Sequence, residues 1–228
     1  MINLSTHQAP LHTTYHAVVD ATNGNTTLDP VHATLLDTNI VATGGVYEVP
    51  GVRGRTVKLN VSIDRGRLED IMRMAVNTPT APMTGGLTLT TSLVIPSSQQ
   101  DVVDKLELAG RFKIEADAAE FRRVISDFAG QFRLGKARLS MPTLTFNVPG
   151  AVVSMKGAYT LRQETLAFSG DLYMDGKISQ TMSGFRSLLL RMVDPLFRRD
   201  GKTVVPLKIS GTRNDPQFGL DTRRVFRH

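Results

Sequence analysis

The chain has 228 residues, of which 41% are hydrophobic and 21% charged, and its formal net charge at pH 7 is +6. This length can bury a substantial core, and we expect a single domain over residues 1–228. The absence of cysteine excludes disulfide bonds and thiolate catalysis. No stretch is long and apolar enough to span a bilayer as a helix.

The positive charge is concentrated late in the sequence, where it is suited to phosphate on nucleic acid or on lipid headgroups. Nucleic acid is the less favoured partner, because basic residues are not interleaved with stacking aromatic residues and tryptophan is absent. A solvated basic surface is the alternative interpretation of the same charge.

The first fifty residues predict a meander of β-strands. Residues 1–11 are polar and contain a proline, so we expect them to be poorly ordered, and the ordered part to start at 15–19. Turn residues at 23–24, 37–39 and 44–45 separate short β-prone runs.

Alternation of apolar and polar residues marks the next part of the chain as strands. The alternation is strict at 56–64 and returns at 87–95 and 106–114. Residues 67–76 instead have the spacing of a short helix, and 116–124 that of a helical turn. Strands and helices do not alternate regularly, which disfavours a parallel α/β fold.

Regular hairpins follow from residue 137 onward. The spacing predicts strands at 144–148, 153–161 and 166–174, joined by short loops, and a last strand at 205–209.

One long amphipathic helix is predicted between these last two strands, within a cap of helix and strand at 178–221. Phe185, Leu189 and Met192 lie on its apolar stripe, and we expect them to pack on the apolar face of the sheet. Pro195 ends the helix near residue 193. Arg198 and Arg199 follow in the exit turn, where they are available to an anionic surface.

These patterns together predict a mainly β protein, with a curved antiparallel β-sheet, one short mid-chain helix and one C-terminal amphipathic helix. Exposing about ten apolar side chains would forfeit about 15–30 kcal/mol, whereas net stability is about 5–15 kcal/mol. The apolar face must therefore close on itself, meet a partner or hold an apolar ligand. Gly110, Gly157 and Gly170 on that face favour strong curvature.

No arrangement of residues predicts catalysis or metal binding. His12 and His16 would lie about 13 Å apart on one strand face, too far to share an ion. No serine stands in a GxSxG elbow, and no phosphate-binding glycine motif is present. We therefore expect a protein that is not an enzyme and that uses no metal or other cofactor.

Several segments resemble, in order, the C-terminal region of bacterial AsmA-like proteins. They are GNTTL, GRLEDIMRMA, LTLTTSLVIPSSQQDV, GRFKI, FNVPGAVVSMKGAYTL, FSGDLYMDGKISQTMSGFRSLLLRMVDPLFRRDG and VPLKISGTRNDPQFGLD. The likeness runs over residues 16–221 and is most specific at 179–220. It implies a repeating β-groove related to the TamB and YhdP proteins, which resemble bridge-like lipid conduits.

The same resemblance implies a periplasmic location, with an N-terminal helix anchoring the intact protein in the inner membrane, and it supplies no catalytic residues. The sequence shows no such anchor, and its segment 121–128 is shorter than the spacer of the family. We expect a hydrophobic groove for phospholipid acyl chains, serving lipid transport or outer-membrane homeostasis. The expected groove-lining residues are Leu144, Phe146, Val153, Met155, Leu166, Phe168 and Leu172.

The alternative function is an assembly or scaffold module with a closed β-sandwich core, which would bind an envelope protein through a sheet edge. The sequence identifies no particular protein partner.

Overall fold

The described part of the chain is mainly β-structure, as predicted. The computed structural model describes residues 10–75, 84–116, 126–148, 150–175, 198–199 and 202–221. Its strands are β1 (Leu11–Val19), β2 (Thr26–Leu35), β3 (Thr38–Glu48), β4 (Arg55–Arg67), β5 (Gly85–Ile95), β6 (Glu107–Ala116), β7 (Ser126–Gly135), β8 (Arg138–Val148), β9 (Ala151–Thr160), β10 (Thr165–Asp175), β11 (Arg198–Arg199), β12 (Lys202–Thr212) and β13 (Pro216–Leu220). Its helices are α1 (Leu68–Ala75) and α2 (Val102–Lys105).

All of these strands belong to one open antiparallel sheet. Strands β1 to β10 follow one another in sequence order, and β12 then pairs with β10. Both β11 and β13 pair with the outer edge of β12, one with Lys202–Thr203 and the other with Leu207–Gly211. The described strands therefore form a single layer and not the two sheets of a sandwich.

The sheet has two ends, which we name after the helices that connect strands there. Helix α1 lies between β4 and β5 at the α1 end, and α2 lies between β5 and β6 at the α2 end. The β8–β9 turn lies at the α1 end, and the β7–β8 and β9–β10 turns lie at the α2 end.

One face of the sheet is apolar, because apolar residues alternate with polar ones along each strand and the register aligns them. Ile63, Leu89, Phe112, Leu144 and Met155 lie on this groove face in one row that also includes Gly130 of β7. The opposite, outer face carries mainly polar and charged residues, such as Ser62 and Lys156 in the strands just named.

Two glycines mark a sharp bend between β9 and β10. Gly157 lies opposite Phe168, and Gly170 opposite Met155. A Cβ added at either glycine would lie 2.6 Å from the Cα of its neighbour, closer than real Cβ atoms approach other atoms. Each strand therefore leans over the glycine of the other on the groove face, so the sheet curves toward its apolar side.

The third predicted glycine marks a similar bend between β6 and β5. A Cβ at Gly110 would lie 2.9 Å from the Cα of Thr91. All three glycines therefore lie where a neighbouring strand approaches too closely for a side chain, which agrees with a curved sheet.

Some predicted boundaries were wrong. Gly44 and Gly45 were expected in a turn, but both lie inside β3, where the backbone of β4 approaches Gly44 too closely for a side chain. Strand β1 begins at Leu11 and not at residue 15, because pairing with β2 extends it over its polar start.

Besides β11, which takes the place of the exit turn predicted at Arg198 and Arg199, two short elements were not predicted. The connector after β5 contains α2, capped by Asp101, whose side chain accepts a hydrogen bond from the Val103 amide. The strand at 205–209 is not the last one, since β13 follows it. Neither element has enough residues to show a period in the sequence.

Candidate functional site: the apolar groove

The most deeply buried part of the groove face lies toward the α1 end, and we call it the deep zone. Its buried residues come from four neighbouring strands, β8, β9, β10 and β12: Leu144, Val153, Met155, Leu172 and Val205. Leu172 is 1% exposed and Val205 0%. Full burial of such side chains is worth roughly 1.5–3 kcal/mol each, so the deep zone is primarily a source of stability.

Phenylalanine rings connect the deep zone to the strands before it. Phe112 and Phe128 pack edge to face with ring centroids 5.5 Å apart, and Phe128 and Phe146 do so at 5.7 Å. Phe112 also contacts Phe132 at 6.3 Å. Each such pair contributes about 0.5–1.5 kcal/mol beyond its buried area, which fixes the relative positions of β6, β7 and β8.

The structure brings six of the seven predicted lining residues together, four in the deep zone and two packed against it. Leu144, Val153, Met155 and Leu172 are buried, while Phe146 and Phe168 are partly buried against them. Leu166 lies apart from this cluster, nearer to the α2 end.

A second row of apolar residues crosses the groove face toward the α2 end, and we call it the leucine row. Each residue is the direct cross-strand neighbour of the next, from β4 to β10. Its members are Leu59, Leu93, Leu108, Leu134, Leu139, Tyr159 and Leu166. All seven are only partly buried, in contrast to the deep zone. The groove face therefore still exposes apolar surface along this row.

The α1 end is closed by helix α1. Leu68 of α1 is buried together with Ile63, Leu87 and Ile114 of the sheet, and Ile71 and Met72 of the helix pack against the same cluster. The predicted helix at 67–76 is therefore confirmed as α1.

A buried carboxylate holds α1 in place. Asp70 is 4% exposed, and its Oδ2 accepts hydrogen bonds from Thr38 Oγ1 at 2.8 Å and from the Asp37 amide at 3.2 Å. Arg67 forms ion pairs with Asp37 and Glu69. The hydrogen bond that Arg67 donates to Glu69, followed by the charge of Glu69, raises the pKa of Arg67. These groups join the start of α1 to the β2–β3 turn.

An exposed ion-pair cluster joins two loops at the α2 end. Arg162, in the β9–β10 turn, donates from Nε to Asp104 Oδ1 at 3.0 Å and from Nη2 to Asp101 Oδ2 at 3.2 Å. The hydrogen bond with Asp104, and then that with Asp101, raises the pKa of Arg162, and the bond from Arg162 lowers the pKa of Asp104. This clamp joins α2 and the residue before it to a turn more than 50 residues away in sequence.

The predicted helix and its residues Phe185, Leu189 and Met192 lie outside the described residues. Arg198 and Arg199 form β11, whose backbone pairs with Thr203 and Lys202, but their side chains lie outside the described part.

The sequence did not identify several residues of the groove. Val205 was placed in a strand without a lining role, and Phe112 and Phe128 were not singled out. The leucine row depends on the register of seven strands, and bulges between Gln131 and Arg133 and between Met141 and Leu144 shift that register. Alternation shows which face a residue takes, but not which residue it meets across the sheet.

Among the described residues, no helix is long and apolar enough to cross a membrane, and no group of three or more His, Cys, Asp or Glu side chains is arranged to hold a metal ion. Comparisons with protein-family models, with curated proteins and with solved structures found no match.

Proposed function

We propose that this chain is a non-enzymatic lipid-binding protein of the bacterial cell envelope, which holds phospholipid acyl chains on its groove face. In this proposal it acts in the periplasm and contributes to lipid transport or outer-membrane homeostasis. An N-terminal helix anchors the intact protein in the inner membrane. The likeness of its sequence segments to AsmA-like proteins supports the location and the role.

The single observation that carries the proposal is the leucine row. Seven neighbouring strands each place one apolar side chain on the same face, and all seven side chains retain exposed surface. Acyl chains bind through contact with dry apolar surface and need no oriented polar groups. Each CH₂ group that leaves water on such a surface contributes about 0.8 kcal/mol.

Burial divides the predicted lining residues into two roles. Leu144, Val153, Met155 and Leu172 form the floor of the groove, because their side chains are already buried within the chain. Leu166, as a member of the leucine row, contacts the acyl chain, and the partly buried Phe168 lies beside it.

Cationic residues at the α2 end suit the phosphate of a lipid headgroup. Lys136 lies in the β7–β8 turn and Arg138 is the first residue of β8; both are exposed and lie within two residues of Leu134 or Leu139 of the leucine row. A guanidinium or ammonium group there can form charge-assisted hydrogen bonds with phosphate oxygens. In this proposal Arg198 and Arg199 contact the anionic membrane surface at the opposite end.

The test is lipid content and uptake. Native mass spectrometry of the protein, purified gently from a bacterial envelope, should show bound phospholipid. The purified chain should also take up a phospholipid with a fluorescent acyl chain. Changing the row neighbours Leu108→Gln and Leu134→Gln together should weaken uptake at least tenfold, since partial loss of two leucine contacts exceeds about 1.4 kcal/mol.

A matched control lies on the same two strands. Ala109 and Arg133 are cross-strand neighbours on the outer face and are exposed. The double change Ala109→Gln and Arg133→Gln should leave uptake at the wild-type level. A wild-type protein that carries no lipid and takes none up would refute the proposal, as would equal loss in both double variants when both are folded.

A further inference from the structure

Within the part of the chain that the structure describes, β1 forms an edge of the sheet that is open along its whole length. All nine of its residues are exposed, including Leu11 at 58%, Tyr15 at 66% and Val19 at 61%. One side of β1 pairs with β2, and no described strand pairs with its other side. The backbone amide and carbonyl groups on that side are thus available to a further strand.

Edge strands of monomeric proteins usually carry features that prevent pairing, such as charges, prolines or bulges. The β1 sequence LHTTYHAVV contains no Lys, Arg, Asp, Glu, Pro or Gly. The irregularity in its pairing with β2 falls between Tyr15 and Ala17, where the single residue His16 of β1 lies opposite Asp29 and Pro30 of β2, so the extra residue is on β2. Strand β1 is therefore regular and unprotected.

The opposite edge of the sheet is different. The outer edge of β12 is occupied by the short strands β11 and β13, and β13 contains Pro216 and Gly219. Pro206 occupies the gap between the two paired stretches of β12, and its carbonyl accepts a hydrogen bond from the Asp221 amide. Among the described residues this edge offers no long strand, which disfavours head-to-tail addition of one copy to another.

We infer that β1 pairs antiparallel with β1 of a second copy of this chain around a twofold axis at Tyr15. In an isologous interface, residue i of one copy contacts residue j of the other and j contacts i, so the strand must be complementary to itself. Two uncharged strands meet this condition even though each chain carries a net charge of +6.

With the twofold axis at Tyr15, groove-face residues of one copy pair with groove-face residues of the other, and outer-face residues pair with outer-face residues. Leu11 meets Val19 of the second copy, and Thr13 meets Ala17, on the groove face. On the outer face His12 meets Val18. The groove faces of the two copies then form one continuous apolar surface. The inference rests on the sheet edge and does not depend on lipid binding.

The first test is the mass of the full chain in solution, measured by light scattering and sedimentation. We expect a species of twice the 25.0 kDa chain mass. The changes Thr14→Lys and Val18→Lys place charges on the outer face of β1 and leave its groove-face residues intact, and they should weaken dimerisation at least tenfold. The control changes Thr88→Lys and Thr90→Lys add the same charge to exposed outer-face positions of β5, and they should leave the dimer unchanged.

The second test uses the absence of cysteine to determine the register. In Tyr15→Cys the two thiols would face each other across the axis, within the Cα separation of about 4.4–6.8 Å that a disulfide needs. Mild oxidation should give a covalent dimer. In the control Leu11→Cys the equivalent residues would be about 27 Å apart along the paired strands and should not cross-link.

Three results would overturn the inference. They are a monomer at all concentrations, a dimer that Thr14→Lys and Val18→Lys leave intact, and cross-linking of Leu11→Cys as efficient as that of Tyr15→Cys.

Discussion

The bend between β9 and β10 makes Gly170 a position where the smallest possible addition should be costly. In Gly170→Ala the new methyl carbon would lie 2.6 Å from Met155 Cα and in closer contact with the Ser154 carbonyl oxygen. Carbon atoms pack favourably at about 3.5–4.0 Å, so the two strands must separate by about 1 Å. Both obstructing atoms are backbone, which cannot turn aside as a side chain can. Overpacking of this kind costs about 1–3 kcal/mol, and we expect the upper part of that range.

An opposing effect reduces this cost only slightly, because alanine restricts the unfolded chain and stabilises by about 0.4–1 kcal/mol. The net loss should be about 2 kcal/mol in the free energy of unfolding, measured by urea titration with far-UV circular dichroism. Gly219→Ala is the control, since no atom lies within 4 Å of the added carbon. If the two variants are equally stable, the strands do not lean onto the groove face and the curvature is misinterpreted.

Two further predictions concern the floor of the groove and the clamp at its α2 end. Leu172→Ala should lower the free energy of unfolding by about 2–5 kcal/mol. Val152→Ala, on the outer face and 47% exposed, should change it by less than about 0.5 kcal/mol, and similar losses in the two would contradict the assigned faces. Arg162→Gln should raise the pKa of the Asp104 carboxyl toward its ordinary value near 3.8, followed by NMR titration, whereas Arg138→Gln should not. The pKa of Asp104 is lowered in the folded protein, so its stabilising contribution is fully present above about pH 3.8. This contribution is lost as the pH falls through the lower folded pKa. In Arg162→Gln that pH-dependent loss of stability should be absent.

The architecture could be predicted from the sequence wherever local alternation decides it. Residues 56–64, 87–95 and 166–174 alternate so regularly that each had to be a strand with one dry face, and each lies within an observed strand. The prediction was wrong at Gly44 and Gly45, because a glycine required by close approach of a neighbouring strand has the same sequence signature as a glycine in a turn.

The candidate site was only partly predictable for a different reason. Sequence alternation identified the dry face, and six of the seven chosen residues do cluster on it. It did not separate the floor from the leucine row, because burial depends on cross-strand register and on the closing of the α1 end by Asp70 and Leu68, which are contacts between distant parts of the chain.

The side chains that are still exposed in the free protein, and not the buried ones, determine how this groove can bind an apolar ligand. Hydrophobic free energy comes from surface that leaves water, so a side chain that is fully buried in the free protein has nothing left to contribute to a ligand. Val205 and Leu172 have already made their contribution to folding, whereas the leucine row retains exposed area. A substitution in the deep zone should therefore alter stability before it alters affinity, and one in the leucine row should alter affinity before stability. Measuring both stability and lipid uptake on the same variants therefore distinguishes a binding groove from an ordinary core.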